Sequence, residues 1–244
     1  RSGEVLVCTL GTRLGDDRIR CRRLVLATGY FDHPNRLGIP GEDLPHVSHY
    51  FDEAHRCFGL DVVVIGGKNS AVEAALELFR AGARVTLVHR GTGFSKSVKY
   101  WLRPDIENRI AAGEIEARLG GEVVQITDRT VGVRSTEGAL GRSRQEEIPA
   151  ERVYALIGFH PDFELFRRIG IAFDDDTGRP SLDAATLETN VPGVHLAGSV
   201  VAGKAISEIF IENGRFDGEK IFGDPDARAA ADARYASTRR PRGE

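Results

Sequence analysis

The sequence predicts an α/β fold in which one complete strand–helix–strand unit interrupts a second, discontinuous one. Three observations carry this. An apolar strand, Val62–Ile65, turns through two glycines into a helical stretch, Ser70–Ala81, where Ala71, Ala74, Ala75, Leu78 and Phe79 recur at helical spacing and Gly82 supplies the stop. Another strand, Arg84–His89, follows at once, and strand, helix and parallel strand in so short a span make a βαβ unit. Two further strand-to-small-residue turns, L-V-L-A-T-G (Leu24–Gly29) and E-T-N-V-P-G-V-H-L-A-G-S (Glu188–Ser199), stand on either side of it.

The remaining elements follow from the same patterns. Glu4–Leu10 and Arg18–Ala27 read as short strands split by a Gly-Asp turn, before a Pro/Gly/Asp-rich connector from Phe31 to Pro45. Beyond a basic, aromatic loop, Ser95–Trp101, Pro104 opens a helix to about Ala112. Strands are expected near Ile115–Leu119, Glu122–Thr127, Thr130–Ser135 and Arg152–Ile157. The last strand, Val194–Ala197, leads to a helix expected from Ala205 to Glu219, and Asp224–Glu244 reads as a frayed helix or disordered tail.

Composition narrows the function classes. The 244 residues are 41% hydrophobic and 28% charged, ordinary for a globular protein, and a net charge of -3 argues against a nucleic-acid partner. No apolar run approaches the ~18 residues of a membrane span. No basic segment followed by an apolar stretch opens the chain, so a cytoplasmic location is expected. There is no methionine and the first residue is Arg1, which leads us to expect a preceding segment in the natural protein. Cys8, Cys21 and Cys57 form no CxxC and read as buried or idle thiols rather than a redox pair. His46, His49 and His55 cluster with Asp43, Asp52 and Glu53, but their spacings match no standard metal site and no metal is expected. No catalytic residue can be assigned from the sequence.

The glycine turn is the most informative motif. In V-V-V-I-G-G-K-N-S-A (Val62–Ala71), Gly66 permits the tight turn and Ala71 lets the helix pack closely on the strand. The helix start, Gly67-Lys68-Asn69-Ser70, offers unpaired N–H groups and a partial positive charge to a pyrophosphate. Lys68 stands where the pattern places its second diagnostic glycine; its ammonium could reach phosphate or face water. The nucleotide is decided at the end of the next strand. An NAD site wants an acid about 20 residues on, to hold the ribose hydroxyls. Here His89-Arg90 stands instead, and Arg90 could pair with a 2′-phosphate, which predicts NADPH. Lys99, Tyr100 and Trp101 could flank the adenine or the substrate entrance, or be plain packing.

The paired turns around this unit resemble the flavin domain of two-dinucleotide-binding flavoprotein reductases, into which a nicotinamide domain is inserted. Within that superfamily the chain resembles the YpdA family of NADPH-dependent bacillithiol disulfide reductases. The likeness runs from about Leu24 to Phe222 through G-G-K-N-S-A-V-E-A-A-L-E-L-F-R-A-G-A (Gly66–Ala83), S-V-K-Y-W-L-R-P (Ser97–Pro104), A-L-I-G-F-H-P-D (Ala155–Asp162) and E-I-F-I-E-N-G-R-F-D-G (Glu208–Gly218). Lys68 is typical of that family, as is Ser199, where most relatives have an Asp on the flavin ribityl chain.

The resemblance implies two Rossmann-like dinucleotide-binding domains. An NADPH domain at 51–157 sits inside an FAD domain formed by 1–50 and 158–224, with a tail at 225–244. FAD would be held by Thr28, Gly29, Gly198, Ser199, Lys204 and Ala205, and NADPH by Gly66, Gly67, Lys68, Asn69, Ser70, Ala71, His89, Arg90 and Lys99. The first flavin βαβ with its GxGxxG, and the cysteine suspected of thiol chemistry, are expected before residue 1. A thioredoxin reductase carries CxxC just before the nicotinamide domain, whereas this chain has His49-Tyr50-Phe51-Asp52. The activity implied is reduction of a small-molecule disulfide by a homo-oligomeric enzyme that needs no nucleic acid or membrane. Two alternatives stay open: a CxxC-free ferredoxin/flavodoxin–NADP reductase, and a non-catalytic NADPH-binding redox sensor.

Overall fold

The computed structural model describes residues 5–137, 142–205 and 208–238. They form two compact units, one spanning Asn35–Gly158 and the other built from the chain up to Pro34 and from Phe159 onward.

The chain enters the discontinuous unit with an antiparallel hairpin, β1 (Leu6–Thr12) on β2 (Gly15–Cys21), in unbroken register from Leu6 opposite Cys21 to Thr12 opposite Gly15. Of the first expected strand, Glu4 lies outside the described residues. The second, Arg18–Ala27, is in fact two elements. β2 ends at Cys21, and β3 (Leu24–Leu26) changes partner, its first amide donating to the Gly193 carbonyl at 2.8 Å.

The continuous unit holds β4 (Val47–Ser48), β5 (Asp61–Ile65), α1 (Asn69–Arg80), β6 (Arg84–His89), α2 (Arg103–Ala111), β7 (Glu116–Leu119), β8 (Gly121–Ile126), β9 (Thr130–Glu137), β10 (Arg142–Pro149) and β11 (Arg152–Ala155). Five strands pair in parallel in the order β4-β11-β5-β6-β7, and β10-β9-β8 form an antiparallel sheet. The uninterrupted apolar run of β5 follows from its place at the centre. Val62 and Val64 pack with Ala71, Ala75 and Leu78 of α1 and Ile106 of α2, while Val63 and Ile65 pack with Val123, Val131, Val133 and Ile148 of the antiparallel sheet. A strand buried on both faces has no polar side to alternate. Leu37, Ile39, Leu44 and Val47 pack on that second cluster, so residues 35–50 belong with this unit.

Helix α1 ends at a left-handed Gly82, φ 87°, with the Ala83 amide reaching back to the Leu78 carbonyl at 3.0 Å, a Schellman-type stop. Strand β10 is not expected from the sequence. R-S-R-Q-E-E-I-P has no apolar alternation because the strand pairs with β9 alone, at the edge of its sheet.

The chain then returns to the discontinuous unit with α3 (Phe163–Ile169), capped by Asp162, whose carboxylate accepts the Leu165 amide at 2.8 Å. Strand β12 (Val194–Leu196) pairs in parallel with β3, Leu196 opposite Leu26, over a core of Phe166, Ile171, Val194, Leu196 and Val200. The helix expected from Ala205 to Glu219 does not form as one piece. Residues 206–207 lie outside the described residues, and α4 (Ile211–Gly214) and α5 (Asp217–Phe222) are separate short helices. The break begins at extended Phe210, whose amide donates to the Asn213 Oδ1 at 2.8 Å, so a side chain takes up a backbone donor that a continuous helix would use. The expected tail holds α6 (Pro225–Thr238), with Ala231 fully buried; 239–244 lie outside the described residues.

Candidate functional site

In the continuous unit the functional geometry gathers where β5 turns into α1. Gly66 has φ 145°, and a Cβ there would lie 2.5 Å from the Leu156 carbonyl oxygen and 2.8 Å from the Ala71 Cβ, so only glycine fits. Ala71 is fully buried, which sets the close approach of helix to strand. Gly67 is buried, and a Cβ on it would overlap the imidazole of His89, whose ring atoms lie 2.4 Å from that point. The first backbone bond into the helix runs from Val72 N–H to the Lys68 carbonyl at 3.1 Å. The amides of Asn69, Ser70 and Ala71 are left without a partner among the described residues, and they point from the positive end of the helix dipole.

Asn69 braces the loop over this turn. Its Nδ2 donates to the Ser97 carbonyl at 3.1 Å, and its Oδ1 accepts the Lys99 amide at 2.8 Å. The Ser95 amide donates to the Gly67 carbonyl at 3.3 Å, and Arg103 donates to the Phe94 and Ser95 carbonyls. Lys68 and Ser70 are exposed, and the Lys68 side chain makes no capping bond. Lys99 pairs with Glu73 at 2.6 Å and lies 5.5 Å from the Trp101 ring centre, so its charge is already matched within the protein. Tyr100 and Trp101 stack edge-on at 4.9 Å and are exposed.

At the end of β6, His89 is half-buried and Arg90 exposed. Burial, and then the Arg90 charge, hold the His89 imidazole below its ordinary pKa, against a bond to the Gly93 backbone that favours the cation. Arg90 makes no hydrogen bond or ion pair with a described residue, so its guanidinium is available to an anion.

The segment His49–Asp52 is held by its His49 and Asp52 side chains. His49 is buried, its Nε2 3.3 Å from the Arg36 Nη1 and 3.5 Å from the Glu42 Oε1. Asp52 accepts the Tyr154 hydroxyl at 3.0 Å and pairs with Arg56 at 3.0 Å. The Asp52 carboxyl is held down, first by the Glu53 amide, and the Tyr154 phenol is pushed well up, first by burial. Buried Cys57 lies 3.7 Å from the same phenol oxygen. Among the described residues no group of three His, Cys, Asp or Glu could hold a metal ion.

In the discontinuous unit, parallel pairing of β3 with β12 brings the two small-residue turns to the same end of the strands. The Ala197 amide donates to the Leu26 carbonyl at 3.0 Å. Beyond it, a Cβ on Gly29 would stand 3.9 Å from the Ser199 Oγ, so Thr28-Gly29 and Gly198-Ser199 form one rim. Asp217, a residue the sequence does not single out, anchors that rim: its Oδ2 accepts the Gly198 amide at 2.6 Å from a buried position. Burial raises its carboxyl, only partly offset by the Gly198 amide and the Lys220 charge. Lys204 donates to the Asp175 and Asp176 carbonyls at 2.8 and 3.0 Å, tying down an exposed loop, and Ala205 follows it.

The sequence reads Cys8 and Cys21 as buried or idle thiols; here the hairpin sets their sulfurs 3.9 Å apart.

The pyridine nucleotide-disulphide oxidoreductase family model matches residues 10–198 of the chain. The chain is 50% identical over 197 residues to a protein named bacilliredoxin reductase Bdr from Bacillus subtilis, covering 81% of this chain and 59% of that protein. It is 30% identical over 203 residues to a ferredoxin–NADP reductase from Ignicoccus hospitalis, covering 82% of this chain and 62% of that one. The chain thus spans about three fifths of the length of these curated relatives. A solved structure titled bacillithiol disulfide reductase Bdr (YpdA), from Bacillus cereus, superposes with a TM-score of 0.83 at 40% identity, covering 96% of this chain and 69% of that one.

Proposed function

Because the chain belongs to the pyridine nucleotide-disulphide oxidoreductase family, we propose that the full-length protein is an NADPH-dependent, FAD-containing reductase of a low-molecular-weight disulfide, bacillithiol disulfide. The observation that carries the acceptor is the 50% identity, over 81% of this chain, to a bacilliredoxin reductase. Overall, NADPH, a proton and the disulfide give NADP⁺ and two thiols.

The continuous unit takes NADPH. The free amides of Asn69, Ser70 and Ala71 bind the pyrophosphate, Gly66 and Gly67 permit the tight turn that presents them, and Lys68 adds a charge at the exposed edge. Arg90 binds the 2′-phosphate, and His89, kept neutral, backs Gly67 without adding a second cation. Lys99 acts by holding its loop against Glu73. The discontinuous unit takes FAD along the rim of Thr28, Gly29, Gly198 and Ser199, with Lys204 and Ala205 beyond it; the open space beside Gly198 suits a backbone approach. Bound there, FAD would supply the hydride and electron transfer between NADPH and the disulfide, while the protein supplies orientation and electrostatics. We place the enzyme in the cytoplasm as a homo-oligomer; no described helix is long and apolar enough to cross a membrane.

The test is NADPH consumption by full-length protein with bacillithiol disulfide, glutathione disulfide, or an oxidised ferredoxin or flavodoxin at equal concentration. Fastest turnover with bacillithiol disulfide is expected. A second reading, electron transfer to a carrier protein, is favoured by the 30% identity to a ferredoxin–NADP reductase and by the absence of thiols from His49–Asp52. Faster turnover with the carrier protein would select it.

A further inference from the structure

The hairpin of β1 and β2 carries a thiol pair that the sequence separates. Leu6 faces Cys21 and Cys8 faces Ile19 across the ladder. Directly opposite residues share a face, and so do residues two apart on a strand. Leu6, Cys8, Ile19 and Cys21 therefore line one face of the ribbon, with Cys8 and Cys21 on its diagonal. Their sulfurs lie 3.9 Å apart, close enough for one thiol to contact the other. Both cysteines are half-buried, so reagents reach them, whereas Cys57 is 2% exposed.

We propose that Cys8 and Cys21 are a reversible redox site, converted to an intramolecular cystine by exchange with a small anionic disulfide.

Three features support it beyond the distance. Among the described residues the ribbon is a two-stranded sheet paired to no further strand, so its twist can change without disturbing a larger ladder. Closing the sulfurs to a bond of about 2.05 Å asks for a movement of about 1.9 Å, within reach of side-chain rotation plus a small change of twist. Cys21 is also the last residue of β2, where the strand is about to leave its partner, which eases the adjustment. Finally, residues 13–23 hold five arginines against two aspartates. Arg13, Arg18, Arg20 and Arg22 make no ion pair with a described residue, so the hairpin presents a positive field to carboxylate-bearing thiol compounds.

The chemistry balances without another reagent. The thiolate of one cysteine attacks a sulfur of the small disulfide, whose S–S bond breaks and releases one thiolate. The mixed disulfide so formed is attacked by the second cysteine, which expels the other small thiolate. Two cysteine thiols lose two electrons and two protons in all; the small disulfide gains them and leaves as two thiols. Burial and then the hydrogen bond with the Cys21 thiol push the Cys8 thiol up, so exchange is best run at mildly alkaline pH.

The probe is glutathione disulfide, which makes the test independent of the acceptor proposed for the full-length enzyme. The 244-residue chain is incubated with it, free thiols are blocked, and the protein is analysed by intact mass and by peptide mapping without reduction. Loss of two hydrogen atoms, with the Cys8 and Cys21 peptides linked and Cys57 still blocked as a free thiol, is the expected result, reversed by dithiothreitol. Cys8→Ser and Cys21→Ser should each stop at a stable glutathione adduct on the remaining partner, and Cys57→Ser should still form the link. Recovery of both cysteines as free thiols, or a wild-type chain that keeps a glutathione adduct without resolving it, would overturn the proposal.

Discussion

The imidazole of His89 occupies the volume that a Cβ on Gly67 would need, its ring atoms 2.4 Å from that point. The two residues are far apart in sequence but form one wall of the turn between β5 and α1. Gly67→Ala should therefore shift the loop and raise the KM for NADPH about tenfold or more, at an overpacking cost of about 1–3 kcal/mol. The double variant Gly67→Ala/His89→Ala, which empties the volume, should recover much of the lost stability in thermal melts. If His89→Ala fails to relieve Gly67→Ala, the contact is not what excludes the side chain.

Arg90 provides the clearest test of cofactor choice. It is exposed and makes no ion pair with a described residue, so removing it should leave the fold intact. Arg90→Ala should weaken NADPH binding by about 1.5–3 kcal/mol, the scale of a hydrogen bond between charged groups, and leave NADH nearly unchanged. Titration calorimetry with both nucleotides on wild type and variant checks this, and equal wild-type affinity for the two would remove the assignment.

Asp217 predicts a pH dependence of opposite sign to the usual carboxylate. Burial raises its folded pKa above the unfolded value, so the protonated form is favoured by folding. Its contribution is present at acid pH, below the unfolded value near 3.9, and is lost as pH rises through the raised folded value. Asp217→Asn keeps an oxygen for the Gly198 amide and needs no charge in that buried place. The variant should melt higher than wild type at neutral pH, with the gap narrowing as pH falls towards 4. A gap that widened on acidification would contradict the sign.

The stretch His49–Asp52 bears on protein substrates. His49 is buried, Asp52 is hydrogen-bonded to Tyr154, and the stretch contains no thiol. Dithiol exchange with a protein disulfide needs a thiolate to form the mixed disulfide. Full-length protein should therefore reduce thioredoxin at a small fraction of the rate of a CxxC enzyme, measured by insulin turbidity with NADPH; comparable rates would refute it.

What could be read directly were the elements with strong local signals. The run Val62–Ile65, the alanine spacing of α1 and the stop at Gly82 mark their structure because each reflects burial or backbone geometry within a few residues. The same holds for Gly66, where a positive φ demands glycine, although its tight contact with the Leu156 carbonyl is tertiary. Strand β10 escaped because an edge strand with polar side chains carries no periodic signal. The helix expected from Ala205 failed because the Asn213 side chain competes for the Phe210 backbone donor, a choice that apolar spacing does not register.

By itself the sequence determined the βαβ unit, its glycine turn and the arginine that follows it, since all three are set by residues close along the chain. Tertiary structure alone decided that Asp217 holds the Gly198 rim, that Gly29 meets Ser199, that His89 walls in Gly67 and that a hairpin sets Cys8 diagonally beside Cys21. These are contacts between segments whose register depends on strand pairing. A side chain's spacing along the chain does not record which residue the ladder will set beside it.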